Sequence, residues 1–270
     1  MVVPLVAPTQ DGISHPLTIV ITPSRAQSYS ICPYRYANEP RRFDRSSKSQ
    51  DLGQWMHEII HEYNRARMAD LDVDVEEIVA RRPPPLSVTQ DKRGEDWALH
   101  IAQDSVDGYR AFLQETGAEV IRDAERYVRT PARTVAGVVG CHIVFSGRFD
   151  VTAERHDGTL VCIDVKSGVV LGQAQLADAP SSFVYHHLVE YAYGNGAIDI
   201  VQFNPLTGRY GLVRLDDVRI QHGKVFCRSM AASIVTGQYP PIPGEYCAYC
   251  ALAPTCPAHD IQRPGWDTEF

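Results

Sequence analysis

The chain has 270 residues, of which 44% are hydrophobic and 22% are charged, and its formal net charge is −7. These values are typical of a globular protein with a sizeable core and exclude a disordered or low-complexity chain. No apolar run approaches the roughly 20 residues that span a bilayer, and Met1–Pro8 lacks the basic leader of a signal peptide. We therefore expect a cytoplasmic protein without a membrane partner.

The first half of the chain predicts mainly helices. Leu17–Thr22 is β-branched and strand-like, and Ser24 is expected to open a short helix after it. Asp51–Met68 has the clearest helical spacing of apolar residues in the chain. An acidic run without a clear helix follows and ends at Pro83–Pro85, and Trp97–Thr116 is a further helical stretch.

The second half of the chain predicts a sheet with helices around it. Helices are expected at Ser181–Tyr193 and Val218–Thr236. Strands flanked by helices predict an α/β or α+β core. The expected strands are Glu119–Thr130, Val135–Ala153, Thr159–Lys166, Ile198–Phe203 and Tyr210–Leu215.

Two aspartates and a lysine form the most informative pattern in these strands. Asp164 and Lys166 are two positions apart, so both side chains project to one face while Val165 faces the core. Asp150 ends the preceding strand of an expected hairpin, opposite them. Carboxylate oxygens suit Mg²⁺ or Mn²⁺, and a lysine beside them can orient a water or stabilise developing charge. The alternative is an ordinary Asp–Lys ion pair on a solvated strand face, which a lone Asp-x-Lys favours.

Seven cysteines in a cytoplasmic chain argue against a disulfide framework. The spacing Cys247-x₂-Cys250-x₅-Cys256 indicates a metal site. His259 would complete a local zinc site, and Cys32 is the alternative fourth ligand. Spacing alone does not choose between zinc and an iron–sulfur cluster.

A competing motif lies on the helix that begins at Asp51. His57-Glu58-x-x-His61 has the H-E-x-x-H form of zinc proteases, and its spacing puts both imidazoles on one helix face. Asn64 and Arg67 stand where one protease class has glycine and a third histidine. These two departures count against a zinc metallopeptidase, which is kept as an alternative to the function inferred below.

A basic segment near the N-terminus contrasts with the acidic chain as a whole. Six basic side chains there stand against two acidic ones, Glu39 and Asp44. Such a segment either contacts phosphates or is an ordinary solvated surface. The six are Arg25, Arg35, Arg41, Arg42, Arg45 and Lys48.

Taken together, the motifs resemble the PD-(D/E)XK nuclease superfamily. Asp150 corresponds to its first acid, and Asp164-Val165-Lys166 to its second element. Gly53-x₃-His57 and His187-x₃-Tyr191 resemble two further motifs, although RecB-type members usually have glutamine where His187 stands. One N-terminal cysteine and three C-terminal ones around these motifs resemble the RecB-like iron–sulfur nucleases, including the CRISPR-associated exonucleases and AddB nuclease domains.

This resemblance implies a role for each residue. Asp150 and Asp164 would bind Mg²⁺ or Mn²⁺ with His57 and Glu125, and Lys166 would position the hydrolytic water. The cysteines would hold a [4Fe–4S] cluster, and further side chains would contact DNA. The implied cluster ligands are Cys32, Cys247, Cys250 and Cys256, and the implied DNA contacts are Arg25, Arg35, Arg41, Arg42, His187 and Tyr191.

The resemblance also implies the fold and the activity. We expect a single nuclease domain with a restriction-endonuclease-like core: an N-terminal segment over 1–50, a helical insert over 51–117, a central mixed sheet over 118–236 and an iron–sulfur cap over 237–270. The expected activity is exonucleolytic hydrolysis of single-stranded or free-ended DNA. The sequence has no phosphate loop of the G-x-x-x-x-G-K-[ST] type, so a helicase, recombination or CRISPR-adaptation partner would unwind duplex. A non-catalytic DNA-binding or assembly protein with a cysteine-rich metal site is the other alternative.

Overall fold

The computed structural model describes residues 16–39, 48–89, 94–134 and 137–258. The first part of the described chain has one strand, β1 (Leu17–Ile21), and is otherwise helical. None of the described helices is both long and apolar enough to cross a membrane. The helices before the sheet are α1 (Pro23–Ile31), α2 (Pro33–Asn38), α3 (Lys48–Met68), α4 (Val75–Arg81), α5 (Leu86–Thr89) and α6 (Gly94–Thr116).

The second part alternates strands with helices and ends in two short 3₁₀ turns, Glu245–Tyr249 and Ala253–Thr255. Its strands are β2 (Val120–Arg129), β3 (Arg133–Thr134), β4 (Cys141–Glu154), β5 (Leu160–Val165), β6 (Ile198–Phe203) and β7 (Tyr210–Arg214). Its helices are α7 (Gln173–Asp178), α8 (Pro180–Tyr193) and α9 (Asp217–Thr236).

The described strands form one mixed sheet in the order β1-β4-β5-β6-β7, with β2 and β3 also paired to β4. The pairs β1–β4 and β5–β6 are parallel, and the other pairs are antiparallel. The long strand β4 therefore organises the sheet, because it pairs with four other strands. The mixed α/β core predicted from the sequence is confirmed.

Helices cover both faces of the sheet, which explains why β5 and β6 are buried along their whole length. On one face Cys162 packs with Leu188 of α8 and Met230 of α9. On the other face Ile163 packs with Ile59 of α3 and other residues of α3 and α6. The helical segment expected as an insert thus supplies one complete layer of the molecule.

Three local features differ from the sequence predictions. The Thr22 hydroxyl accepts a hydrogen bond from the N–H of Arg25, so Thr22, not Ser24, caps α1. Asp74 caps α4 inside the acidic run for which no clear helix was expected, because Val75 and Ile78 bury their side chains. The single strand expected over Val135–Ala153 is instead β3 and β4, and residues 135–136 lie outside the described ranges.

Candidate active site

The site begins with an irregularity in β4 at Asp150. Phe149 packs in the core beneath α8, whereas Val151, two positions later, packs in the core beneath α3. A regular strand would place both on one face, so β4 changes face at Asp150. In the neighbouring register of β2, Glu125 has a φ of +58°, a left-handed conformation that is uncommon for residues other than glycine. Unusual backbone of this kind is concentrated at functional sites.

Asp150 is a partly buried carboxylate with one backbone donor. Its Oδ2 accepts a hydrogen bond of 2.8 Å from the N–H of Val165 at the end of β5. Burial, followed by the negative charge of Asp164, raises the pKa of Asp150 to about 7. The protein therefore concentrates acidic groups at this position, and their repulsion would be relieved by a cation.

Asp164 is held much more completely than Asp150. Its side chain is only 6% exposed, and Lys166 Nζ lies 2.9 Å from its Oδ1. The Tyr185 hydroxyl donates to the same oxygen at 3.0 Å, and Gln202 Nε2 donates to Oδ2 at 3.4 Å. The carboxylate is therefore fixed in orientation, while the lysine side chain remains 42% exposed. As predicted, Asp164 and Lys166 meet and Val165 is buried in the core beneath α3.

Helix α3 brings His57 to the carboxylates. Gly53, one turn earlier, lies so close to Ser167 that a side chain there would overlap the serine hydroxyl. This close approach lets α3 reach the end of β5, and His57 Nδ1 then lies 3.6 Å from Asp150 Oδ2. Burial lowers the pKa of His57, so the neutral imidazole, which is the metal-binding form, is favoured.

Three of the predicted ligands converge on one spot. Ligand atoms of His57, Glu125 and Asp150 all lie within 4.8 Å of one another. They line an open cleft along α3 together with Ser167. Two carboxylates and one imidazole are a donor set that fits a divalent ion such as Mg²⁺ or Mn²⁺. The fourth predicted ligand, Asp164, is not part of this group, but its negative charge acts on both Asp150 and His57.

The competing H-E-x-x-H motif lies in the same cleft. His61 and Glu58 both line it, but the metal-ligand group contains only His57 from this helix, with Glu125 and Asp150 of the sheet. His61 Nδ1 is buried without a hydrogen-bond partner within the described structure. His57 is thus grouped with two carboxylates of the sheet and not with His61, the second histidine of the protease motif.

The four cysteines predicted to bind a cluster meet although they come from opposite ends of the chain. They line one largely apolar cavity, and Arg35 and Tyr34 of α2 also line it. The N–H of Ile242 donates to Cys32 Sγ at 3.5 Å. The four are Cys32, Cys247, Cys250 and Cys256, and the proposed zinc ligand His259 lies outside the described residues.

The predicted DNA contacts are dispersed. Arg25 donates to the carbonyl of Val20, and Arg35 pairs with Glu39 at 2.9 Å beside the cysteine cavity. Arg41 and Arg42 lie outside the described residues.

The His187-x₃-Tyr191 motif of α8 lies apart from the carboxylates. His187 packs edge-on against Phe145, with ring centres 4.6 Å apart, and lines a separate cavity. Tyr191 is 49% exposed. Neither residue lines the cleft of His57 and Asp150.

Sequence reasoning missed Tyr185 and Gln202. Both are buried and both donate to Asp164. Gln202 interrupts the apolar strand β6 and lies directly beside Asp164 in the parallel register, so an unexplained polar residue in a buried strand was the available signal. Tyr185 had no such signal, because its contact depends on how α8 packs on the sheet.

Comparisons with known proteins place the chain in a family. A family model of the PD-(D/E)XK nuclease superfamily matches residues 20–257. Among solved structures, a candidate exonuclease from Eubacterium rectale is similar at 11% identity, with a TM-score of 0.48, over 88% of this chain and 87% of that chain. An alkaline exonuclease from Laribacter hongkongensis is similar at 13% identity, with a TM-score of 0.28, over 81% of this chain and 89% of that chain. No curated protein matches the chain.

The family model carries the assignment. Its matched range includes the carboxylates of β4 and β5, His57 and all four cysteines that line one cavity. Because the match extends over most of the sequence, the chain belongs to the PD-(D/E)XK nuclease superfamily.

Proposed function

We propose that the protein is a metal-dependent deoxyribonuclease that acts as an exonuclease on single-stranded or free-ended DNA. The observation that carries this proposal is the convergence of His57, Glu125 and Asp150 within 4.8 Å, beside Asp164 and Lys166. Membership of a nuclease superfamily supports hydrolysis of a phosphodiester. The preference for DNA with a free end rests on the resemblance of the motifs to RecB-type nucleases.

Each residue has a distinct role in this proposal. Asp150, Glu125 and His57 would hold a divalent cation, with Asp164 beside them. A bound Mg²⁺ or Mn²⁺ supplies Lewis-acid polarisation of the phosphodiester. Lys166 keeps an exposed ammonium near the carboxylates, where its remaining N–H donors can orient a water and stabilise the charge that develops on phosphate. Asp164 fixes the position of that ammonium.

The substrate reaches this site through an open cleft. Arg148 and Arg82 line the cleft, but Arg148 pairs with Glu125 at 2.9 Å and Arg82 pairs with Glu62 at 2.8 Å. We propose further DNA contacts at Arg25, Arg35, Arg41, Arg42, His187 and Tyr191, as the resemblance implies. A helicase or recombination partner would supply unwound strands.

The activity is tested with end-labelled single-stranded DNA and Mg²⁺ or Mn²⁺. Asp164→Asn and Lys166→Ala should each lower the cleavage rate by at least about a hundredfold, because each removes a charge from the reacting centre. Lys166 is half-exposed, so its variant leaves the core intact. Asp72→Ala, an exposed acid outside the cleft, is the control.

Full activity in both variants would refute the assignment of the core residues. Binding of DNA without cleavage under any divalent ion would instead support the non-catalytic alternative. Cleavage of peptides that is lost in Glu58→Gln would support the zinc metallopeptidase.

We further propose that the four clustered cysteines hold a [4Fe–4S] cluster. Their thiols converge on an apolar cavity, and Arg35 beside them offsets thiolate charge. The choice of an iron–sulfur cluster over zinc rests on the resemblance of the motifs to the RecB-like iron–sulfur nucleases.

A further inference from the structure

A second cavity lies on the opposite side of the sheet from α3. It is lined by residues of β3, β4, α8 and α9, is open to solvent and has a volume of about 250 Å³. Ile143, Phe183 and Cys227 form its apolar base. None of the residues that line it also lines the cleft of His57 and Asp150. The cavity is therefore a separate feature of the molecule.

The charge of this cavity is opposite to that of the protein. Arg133, Lys224 and Arg228 line it, and no carboxylate does so within the described residues, although the whole chain has a net charge of −7. Within the same described ranges none of the three cations forms an ion pair, whereas most other arginines of the sheet do. Lys224 and Arg228 are four positions apart on α9, so their charges share one helix face and repel each other. An anion bound between them would relieve that repulsion.

Aromatic rings form one wall of the same cavity. His187 packs edge-on against Phe145 and lies nearly parallel to Phe183, with ring centres 6.1 Å apart in the second pair. His187 Nδ1 is 3.6 Å from Glu190, which orients the imidazole. Phe145 and His187 are both partly exposed, so their rings are accessible to a ligand. Cations next to accessible rings match the chemistry of a nucleotide, which joins a phosphate to a planar base.

We propose that this cavity binds a nucleotide, with Arg133, Lys224 and Arg228 contacting its phosphate and the Phe145–His187 pair contacting its base. The ligand is either a free mononucleotide or one nucleotide of a DNA strand, since both present a phosphate joined to a planar base. Phe145 and Asp150 are five positions apart on β4, a separation of about 17 Å along a strand. The two sites are thus distinct.

The test measures binding in EDTA, so its outcome does not depend on whether the protein cleaves DNA. Thymidine monophosphate and inorganic phosphate are titrated by calorimetry, and a labelled single-stranded oligonucleotide is followed by fluorescence anisotropy. Each is compared between the wild type, Arg133→Ala, and the double variant Lys224→Ala/Arg228→Ala. The control is Arg81→Ala/Arg209→Ala, which removes the same charge from exposed positions elsewhere.

We expect the double variant to weaken nucleotide binding by about tenfold or more, equivalent to about 1.4 kcal/mol, while the control binds as the wild type does. Loss of thymidine monophosphate binding supports a mononucleotide site, and loss confined to the oligonucleotide supports a strand contact. Equal binding by the wild type and both cavity variants would overturn the proposal. Thymidine monophosphate binding no tighter than inorganic phosphate, with oligonucleotide binding unchanged, would also overturn it.

Discussion

Asp164 is a buried carboxylate whose charge is stabilised and oriented by neighbouring side chains. Burial of a carboxylate costs free energy unless donors compensate it, and Lys166, Tyr185 and Gln202 all point toward its oxygens. Burial raises the pKa of the Tyr185 hydroxyl well above its ordinary value, so this group stays protonated and donates. Partners of this kind orient the groups next to a metal and influence its affinity.

Tyr185→Phe tests this orientation without removing a charge. Loss of one hydrogen bond to Asp164 should raise the Mn²⁺ concentration for half-maximal nuclease activity by about tenfold. The affinity for DNA in EDTA should stay unchanged, because Tyr185 does not line the cleft. The measurement is a Mn²⁺ titration of the cleavage rate at saturating DNA.

Tyr127→Phe is the matched control for this substitution. Its hydroxyl is hydrogen-bonded to Ser146 at 2.6 Å on an exposed part of β2, away from Asp164. If Tyr185→Phe lowers the melting temperature but leaves the Mn²⁺ dependence unchanged, Tyr185 is only a packing residue and the positioning role is wrong.

At the scale of single residues, the sequence predicts contacts between side chains that regular secondary structure alone brings together. Asp164 and Lys166 share a strand face because side chains alternate, and this needs no tertiary information. Tyr185 could not be predicted, since its position depends on the packing of α8 against β5. Likewise, Glu125 was identified as an acid, but its left-handed backbone beside Asp150 is visible only in the folded sheet.

At the scale of elements, the fit between α8 and α9 depends on one glycine. Gly223 of α9 lies against Phe183 of α8, and a Cβ there would overlap the phenylalanine ring. Glycine weakens a helix by about 1 kcal/mol relative to alanine, so its presence in α9 is explained by this close approach. Phe183 in turn forms part of the base of the nucleotide cavity.

Gly223→Ala should therefore destabilise the protein despite its better helix propensity. Overpacking costs about 1–3 kcal/mol and the helix gains about 1 kcal/mol, so the net change is a fall of up to about 2 kcal/mol in the free energy of unfolding. The overlap with the Phe183 ring favours the upper end of this range. Urea unfolding followed by circular dichroism measures this change.

Gly108→Ala is the control, for which we expect the opposite change in the free energy of unfolding. Gly108 lies in α6, and a Cβ there would meet nothing closer than 4.0 Å. This substitution should raise the free energy of unfolding by up to about 1 kcal/mol. Stabilisation by both substitutions would show that α8 and α9 adjust freely, contrary to the packing argument.

The order of the elements was largely predictable, but two details were not. Hydrophobic periodicity identified α3, α8 and α9 within a few residues because each has a long buried face. The change of face in β4 at Asp150 interrupts the alternation on which strand prediction depends. It is nevertheless this irregularity that turns Asp150 toward His57.

At the scale of the whole molecule, the cysteine cavity joins the two ends of the described chain. Cys32 lies between α1 and α2, whereas the other three cysteines follow α9. The Tyr34 hydroxyl also donates to the carbonyl of Thr255, so the segments touch beyond the thiols. A cluster held by all four cysteines would cross-link almost the full length of the fold. A local zinc site completed by His259 would not.

Cys32→Ala separates these two arrangements. If the four thiols share a cluster, the anaerobically purified wild type is brown with broad absorption near roughly 400 nm, and Cys32→Ala loses that absorption. Loss of this link should cost about 3 kcal/mol by analogy with a typical disulfide, or roughly 6–12 °C in melting temperature. Cys227→Ala is the control, because it removes a buried thiol that does not line the cavity of the four cysteines. This variant should keep the colour. A colourless protein with one zinc ion that survives Cys32→Ala and is lost in His259→Ala would contradict the shared cluster, because the C-terminal segment would then bind its metal alone.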